Sequence, residues 1–249
     1  MRLKLTLSSE EDYINLPLHY NFTLQGMLYK SLPKFLSEFL HDVGFFYNGR
    51  RFKLYTFSKI QSPHFKIYKD TKRISFKTPI TIFISSTVNE ITRSLGETFL
   101  KKDIIKLGKN ELYLEEIEIL TNPKIENTEI KIKTLSPITA YQTFEKENNR
   151  KFYKYYNPSQ PQFNELIKEN ARKKYEILTG KNVNKEDFPF EIKPLNTKKT
   201  LIKYKNFMVE GYDGEFLVKT KPEILKTIYD AGLGAKNSQG FGMIEVYNG

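Results

Sequence analysis

The sequence predicts an α+β fold built as two tandem units, with helices packed on one face of each sheet. Three observations carry that prediction. The chain has 249 residues, enough for one large domain or two of ordinary size. Hydrophobic residues make up 39% of it, so a packed core is feasible. Segments with period-two alternation and segments with a helical stripe follow in the order β-α-ββ-α-β, twice over with insertions.

Residues 2–7 alternate strictly, with Leu3, Leu5 and Leu7 on one face, as a half-buried strand does. Leu24, Met27, Leu28 and Leu32 form a helical stripe. Pro33 kinks or restarts it, and Phe35, Leu36, Phe39 and Leu40 continue it to His41. After the polar loop Tyr47-Asn48-Gly49-Arg50-Arg51, residues 52–57 read as a strand with Lys53 at its start. Residues 65–68 and 73–77 flank Asp70-Thr71 as a hairpin, and 80–85 is a further strand. Thr87 and Glu90 have capping-box spacing ahead of a helix whose buried face is Val88, Ile91, Leu95 and Phe99. Lys101 and Lys102 sit at its end, where the helix dipole favours cations. Residues 111–120 complete the first unit as a strand whose alternation slips near Glu115-Glu116, as at a β-bulge.

Asn122-Pro123 breaks the pattern, which divides the chain into units of residues 1–122 and 123–249. Residues 129–134 alternate Ile130 and Ile132 with lysines, and 152–156 is a short strand. A helix over 161–178 carries Phe163, Leu166, Ile167, Ile177 and Leu178 and stops at Thr179-Gly180. Strands follow around 188–193, 201–210 and 215–219. Pro222 opens a helix with Ile224, Leu225 and Ile228, Gly232 ends it, and 240–246 is the last strand. This order is the split β-α-β plan shared by ferredoxin-like and RNA-recognition domains.

Forty Lys and Arg stand against twenty-nine Asp and Glu, a formal net charge of +11. The excess favours a polyanionic partner, nucleic acid or an anionic membrane surface, although a solvated lysine-rich surface gives the same sum. Sixteen Tyr and nineteen Phe supply rings that can stack bases, most of the Phe being core. Cysteine is absent, which excludes a disulfide scaffold, a thiolate zinc site and a cysteine nucleophile. The three histidines, His19, His41 and His64, are not at metal-ligand spacing, so neither a metal site nor a cofactor is expected. No Gly-x-Ser-x-Gly elbow is present. The N-terminus alternates where a signal peptide has an apolar core, and no stretch approaches about 18 apolar residues. A cytoplasmic chain without membrane attachment is the expectation.

The most specific motif is Gly232-Leu233-Gly234-Ala235-Lys236-Asn237-Ser238-Gln239-Gly240-Phe241-Gly242. It is not the dinucleotide fingerprint, because the third glycine of that pattern falls on Asn237 and a helix precedes it. It is not a P-loop, since no Gly-Lys-Ser/Thr closes it. Two Gly-hydrophobic-Gly brackets enclose a polar segment with one lysine. Glycine permits positive φ, so exposed N–H groups and a mobile Lys236 are expected to meet a polyanion. A glycine-rich turn without a ligand is the plain alternative.

The loop resembles the signature of the CRISPR-associated repeat-RNA endoribonucleases, the Cas-six family of the RAMP superfamily. Gly232, Leu233, Gly234, Lys236 in the spacer, Gly240, Phe241 and Gly242 all match. Leu24-Gln25-Gly26-Met27-Leu28-Tyr29 is similar to the first helix of the archaeal-type members. Phe39-Leu40-His41-Asp42-Val43-Gly44 is similar to the segment bearing their catalytic histidine, and Lys53-Leu54-Tyr55-Thr56-Phe57-Ser58 to the strand beginning with their catalytic lysine. Leu135-Ser136-Pro137 recurs at the start of their second domain.

The resemblance implies two ferredoxin-like domains side by side and metal-independent cutting of CRISPR precursor transcripts within each repeat. In that reaction the 2′-hydroxyl attacks the adjacent phosphorus, leaving a 2′,3′-cyclic phosphate and a 5′-hydroxyl. It implies His41 for proton transfer, Tyr29 for orienting the 2′-hydroxyl or sharing in that transfer, and Lys53 for stabilising the phosphorane. Whether His41 is base or acid stays open, and Arg50 or Arg51 can replace or assist Lys53. Arg50, Arg51 and the loop residues Gly232, Gly234, Lys236, Asn237, Ser238, Gln239, Gly240 and Gly242 are expected to bind repeat RNA, while cutting falls to His41 and its neighbours. The alternative is a RAMP subunit or inactive paralogue that holds crRNA without cutting. Other CRISPR effector-complex proteins are candidate partners, and a monomer or homodimer is expected.

Overall fold

The computed structural model describes residues 1–123, 126–145 and 151–247. The chain opens with β1 (Arg2–Ser8), β2 (Tyr13–Pro17), α1 (Asn21–Ser31) and α2 (Lys34–Glu38). A π-helical turn over Phe39–Val43 leads to β3 (Phe45–Tyr47), β4 (Arg50–Phe52) and β5 (Tyr55–Phe57). Then come β6 (Phe65–Tyr68), β7 (Arg73–Lys77), β8 (Ile80–Ser86), α3 (Asn89–Lys101), β9 (Ile105–Leu107) and β10 (Asn110–Leu120). The main sheet has the order β5-β8-β1-β10-β9, and β2-β7-β6 forms a smaller one. Leu3, Leu5 and Leu7 pack with Ile82 and Ile84 against Leu24 and Leu28 of α1 and Leu95 and Phe99 of α3. The expected bulge is present: pairing passes from Thr6–Glu116 to Leu7–Leu114, leaving Glu115 over.

Three local expectations are corrected. The capping box does not form, because Val88 is the N-cap of α3 and the Thr87 hydroxyl turns to the Leu54 carbonyl. The helix leading to His41 does not stay regular. Its end widens into the π-helical turn, closed by Gly44 N–H donating to the Phe39 carbonyl at 2.7 Å. The single strand over 52–57 is two. β4 pairs with β3 in a hairpin whereas β5 pairs with β8, so the chain changes sheets at Lys53-Leu54. Leu54 makes that change at a φ of 53°, a left-handed conformation that costs about 1–3 kcal/mol in a leucine. Its buried side chain, packed with Phe52 and Ala231, holds it there.

The second sheet is built from β11 (Glu129–Thr134), β14 (Phe190–Tyr204), β15 (Phe207–Thr220) and β16 (Ile244–Val246). Between them lie β12 (Tyr141–Glu145), β13 (Lys151–Tyr155), α4 (Pro161–Thr179) and α5 (Pro222–Ala231). The order is β14-β15-β11-β16. Both sheets therefore place the second, third, first and fourth strands of a β-α-ββ-α-β unit in sequence, and the fold is the expected pair of ferredoxin-like units. Where three strands were expected between 188 and 219 there are two long ones, turning at Lys205-Asn206. The strand β12, not anticipated, pairs with β13.

The two units share α5. Ile224, Leu225 and Ile228 belong to the second core, while Tyr229 and Asp230 meet the first sheet. The buried Arg2 guanidinium donates to the carbonyls of Ile244 and Tyr229 at 3.0 and 2.8 Å and lies 3.6 Å above the Tyr229 ring. Among the described residues no helix is long and apolar enough to cross a membrane.

Candidate active site

The glycine loop follows α5 and is pressed between the units. Gly232, Gly234, Gly240 and Gly242 are all at positive φ and all buried. A Cβ on Gly240 would stand 2.5 Å from the Phe57 ring, and one on Gly242 would run into the Leu233 carbonyl oxygen. The N–H groups of Leu233, Ala235, Gln239, Gly240 and Gly242 are donated to backbone carbonyls within the protein. This corrects the expected cradle of exposed N–H groups: the glycines let backbone pack on backbone, and the segment between them faces the cleft.

Side chains from both units hold the loop by its carbonyl oxygens. Asn21 Nδ2 donates to Gln239 and Gly240 at 2.9 and 3.1 Å, and Thr56 Oγ1 to Phe241 at 3.0 Å. Gln25 Nε2 donates to Ser238 at 2.5 Å, and Tyr204 Oη donates to the oxygen of the same Gln25 amide. From α4, the buried Lys174 ammonium donates to Gly232, Gly234 and Asn237 Oδ1 at 2.6, 3.0 and 2.6 Å. Burial pulls the pKa of Lys174 from 10.5 down to about 7. Sequence reasoning missed Lys174 and Gln25. Lys174 carried a signal, since with Phe163, Ile167 and Ala171 it completes the buried stripe of α4, where a lysine needs a reason.

Beside the loop opens a cleft of about 260 Å³ lined by Arg50, Arg51, Lys53, Tyr55, Tyr141 and Asn170, together with residues 235–239. Lys53 Nζ donates to Tyr29 Oη at 2.9 Å, so two of the three sequence-predicted catalytic residues meet. Lys53 sits at the break between β4 and β5 and shares the cleft with Lys236, Asn237, Ser238 and Gln239. Lys53 and the loop are thus far apart in sequence and neighbours in space.

His41 stands apart from that pair. Its side chain is 75% exposed on the π-helical turn, outside the cleft-lining set, and its Nδ1 lies 2.5 Å from Asp42 Oδ1. The β3–β4 hairpin links it to the cleft, because Arg51 Nη1 donates to the Asp42 carbonyl at 2.6 Å and Lys53 follows two residues later. Tyr47 anchors the hairpin to α4 through Glu176 Oε2 at 2.7 Å.

Lys236 is not the mobile cation expected. At a φ of 59° it lays its ammonium 4.7, 5.1 and 5.5 Å from the ring centres of Tyr141, Phe207 and Tyr153, and burial lowers its pKa. Among the described residues no three His, Asp or Glu side chains gather as a metal-ligand set.

The model of the family described as CRISPR associated protein Cas6, C-terminal, matches residues 120–246, and that of CRISPR-associated protein Cas6, N-terminal, matches residues 15–118. The CRISPR-associated endoribonuclease Cas6 1 of Methanocaldococcus jannaschii is 28% identical over 245 residues, which cover 98% of this chain and 92% of that one. The CRISPR-associated endoribonuclease Cas6 of Pyrococcus furiosus is 27% identical over 259 residues, 98% of this chain and 88% of its own. A solved structure described as the characterization of a Cas6-related gene from Pyrococcus furiosus has the same fold, with a TM-score of 0.85 at 22% identity over 100% of this chain and 98% of that one. With its two halves matched in order by the two models, the chain belongs to the Cas6 family.

Proposed function

We propose that the chain is an endoribonuclease that cuts CRISPR precursor transcripts within their repeats, without a metal ion, by attack of a 2′-hydroxyl on the adjacent phosphorus. The observation that carries this reading is the bond from Lys53, which lines a basic cleft beside the family's glycine loop, to Tyr29. Residues 1–122 are taken as the unit that carries the reacting groups and residues 123–249 as the unit that carries the loop.

In-line attack moves one proton off the 2′-hydroxyl and one onto the departing 5′-oxygen, and it loads negative charge on the phosphorane. Lys53 spends one N–H on Tyr29 and has two left for the phosphorane oxygens. Tyr29, its oxygen accepting from Lys53, keeps its own O–H to orient the 2′-hydroxyl. An Nδ1–H donated to Asp42 leaves Nε2 of His41 free to accept a proton, which fits the part of general base. Arg50 and Arg51 face the cleft and supply further charge for the phosphates, beside Lys236, Asn237, Ser238 and Gln239. A solvent water gives the departing 5′-oxygen its proton and the His41 imidazolium neutralises the hydroxide left, so the products are a 2′,3′-cyclic phosphate and a 5′-hydroxyl.

The test is cutting of a cognate repeat RNA in EDTA, with the product ends identified. Persistence in EDTA, a cyclic phosphate, and a block by 2′-deoxy substitution at the scissile position are expected. Loss of cutting in EDTA, or a product without the cyclic phosphate, overturns the mechanism. A second reading, a subunit that holds crRNA without cutting, is favoured by the exposure of His41 outside the cleft. Tight binding with no product in a single-turnover experiment on the right repeat supports it.

A further inference from the structure

Beyond the cleft the rings that surround Lys236 continue as a ridge. Tyr141, on the cleft wall, is 5.5 Å from Tyr153, and Tyr153 is 6.3 Å from Phe207. Phe207 is 6.1 Å from Tyr204, and Tyr204 is 5.7 Å from Phe22 of α1. Five rings from three separate regions thus form one path from the cleft to the far end of α1. Tyr153, Phe207 and Phe22 are 43%, 37% and 49% exposed. Large rings left side by side in water are costly unless something covers them. Lys236 accounts for only part of their surface, since its ammonium is a single group lying against Tyr141, Tyr153 and Phe207.

The ridge is also built to be rigid. Its middle is the turn of the β14–β15 hairpin, whose paired strands run on to Tyr204–Phe207. The stretch over residues 195–201 is largely exposed, so the hairpin reaches well past the second core. It is tied down at the tip, where Tyr204 donates to Gln25, which in turn holds the loop at Ser238. Cations are interleaved with the rings: Lys236 between three of them, and Lys205 at 5.2 Å from the Phe22 ring. Exposed rings with lysines among them fit a strand whose bases are free to stack and whose phosphates lie alongside. A duplex, with its bases paired inside, offers such a surface only backbone. The ridge is not the open face of either sheet but an outgrowth of two hairpins that ends on Phe22 of α1.

We infer that this aromatic ridge is a stacking platform for unpaired nucleotides of RNA, which leave the cleft past Tyr141 and lie across Tyr153, Phe207 and Phe22. The inference rests on the reading of the chain as an RNA-binding protein. Stacking is sequence-tolerant and carries no charge of its own, so loss of one ring weakens binding while Lys205 and Lys236 still meet the same phosphates.

The experiment measures affinity for single-stranded repeat RNA, for the same repeat paired with its complement, and for anionic phosphatidylglycerol vesicles, each over a range of salt. The variants are Phe207→Ala, Tyr153→Leu and Tyr153→Phe, with thermal unfolding as a check on folding. Phe207→Ala and Tyr153→Leu are expected to weaken single-strand binding about 5- to 100-fold with an unchanged salt slope. Tyr153→Phe, which keeps a ring, is expected to bind as the wild type does. Duplex binding is expected to be indifferent to all three. Wild-type affinity in the Leu and Ala variants overturns the inference, as does equal loss for duplex and single strand, or a loss confined to vesicles. If Ala disturbs the hairpin, the contrast between Tyr153→Phe and Tyr153→Leu decides. A wild type that binds no repeat RNA sinks the RNA reading as a whole, whereas a wild type that cuts, with ridge variants that bind equally well, sinks the platform alone.

Discussion

The glycine loop and the β3–β4 hairpin stand on the same cleft and are held in opposite ways. The loop has buried glycines, with its carbonyls tied by Asn21, Gln25, Thr56 and Lys174 from two units. The hairpin and the π-helical turn before it project His41 into solvent, with Arg51 and Tyr47 as polar anchors. Each arrangement predicts a different kind of failure. Changes in the loop disturb the fold that shapes the cleft, and changes in the hairpin disturb the chemistry while the fold stands.

The largest expected effect belongs to the π-helical turn that leads into the hairpin. His41→Ala is predicted to slow cutting of a repeat RNA by about 10²- to 10⁴-fold, the range for a lost proton-transfer group. Thermal unfolding and RNA affinity should not move, because the side chain is exposed and, among the described residues, bonds its neighbour Asp42 alone. Single-turnover rates at saturating enzyme check this. An unchanged rate removes His41 from the reaction.

The loop gives the next effect, and of the other kind. Gly242→Ala forces a Cβ toward the Leu233 carbonyl at a φ of 74°, a left-handed position already costly for alanine. A destabilisation of about 3–5 kcal/mol is expected, read as a fall in Tm of roughly 10 °C for a chain of this size. If Tm holds while affinity falls, the glycine serves the ligand directly and the contrast between loop and hairpin breaks.

The same contrast explains which parts of the molecule were legible in the sequence. β1, α3 and β10 were readable, bulge included, because each is buried on one side and its period shows in the residues. β12 was not, because Tyr141–Glu145 lies largely in solvent and gives no alternation to read. The middle of the β14–β15 ladder was lost for the same reason, its residues being polar where it leaves the core. The split at Lys53-Leu54 is a change of sheet partner, decided by tertiary pairing and invisible locally. Spacing identified the loop and its glycines but not their burial. The cage around Lys236 joins Tyr141, Tyr153 and Phe207, which no local pattern connects.

Lys174 sharpens the comparison through pH. Its folded pKa, about 7, lies below the ordinary 10.5. Between those values the unfolded chain holds the proton and the folded chain does not, so stability from this group rises with pH there and is flat below about 7. Lys174→Met removes the titration. The stability difference, wild type minus variant, should therefore grow between pH 7 and 10 by up to about 1.4 kcal/mol per unit. Urea unfolding at pH 6, 7.5 and 9 measures it. A flat difference means that the three acceptors keep the ammonium charged within the loop.

The smallest expected effect tests whether the loop also touches the ligand. The Lys236 ammonium makes no hydrogen bond or ion pair among the described residues, and it lies against three rings on the edge of the cleft. Its N–H groups are thus available to a phosphate even though its position is fixed. Lys236→Met keeps the apolar stem and removes the charge. Affinity for single-stranded repeat RNA should fall several-fold, and the slope of log K against log salt should drop by about 0.7, the value for one phosphate contact on a single strand. Phe207→Ala next to it should lower affinity without touching the slope. A Lys236→Met variant with an unchanged slope would mean that the ammonium only orders the rings, and that the glycine loop acts on RNA through the shape it gives the cleft.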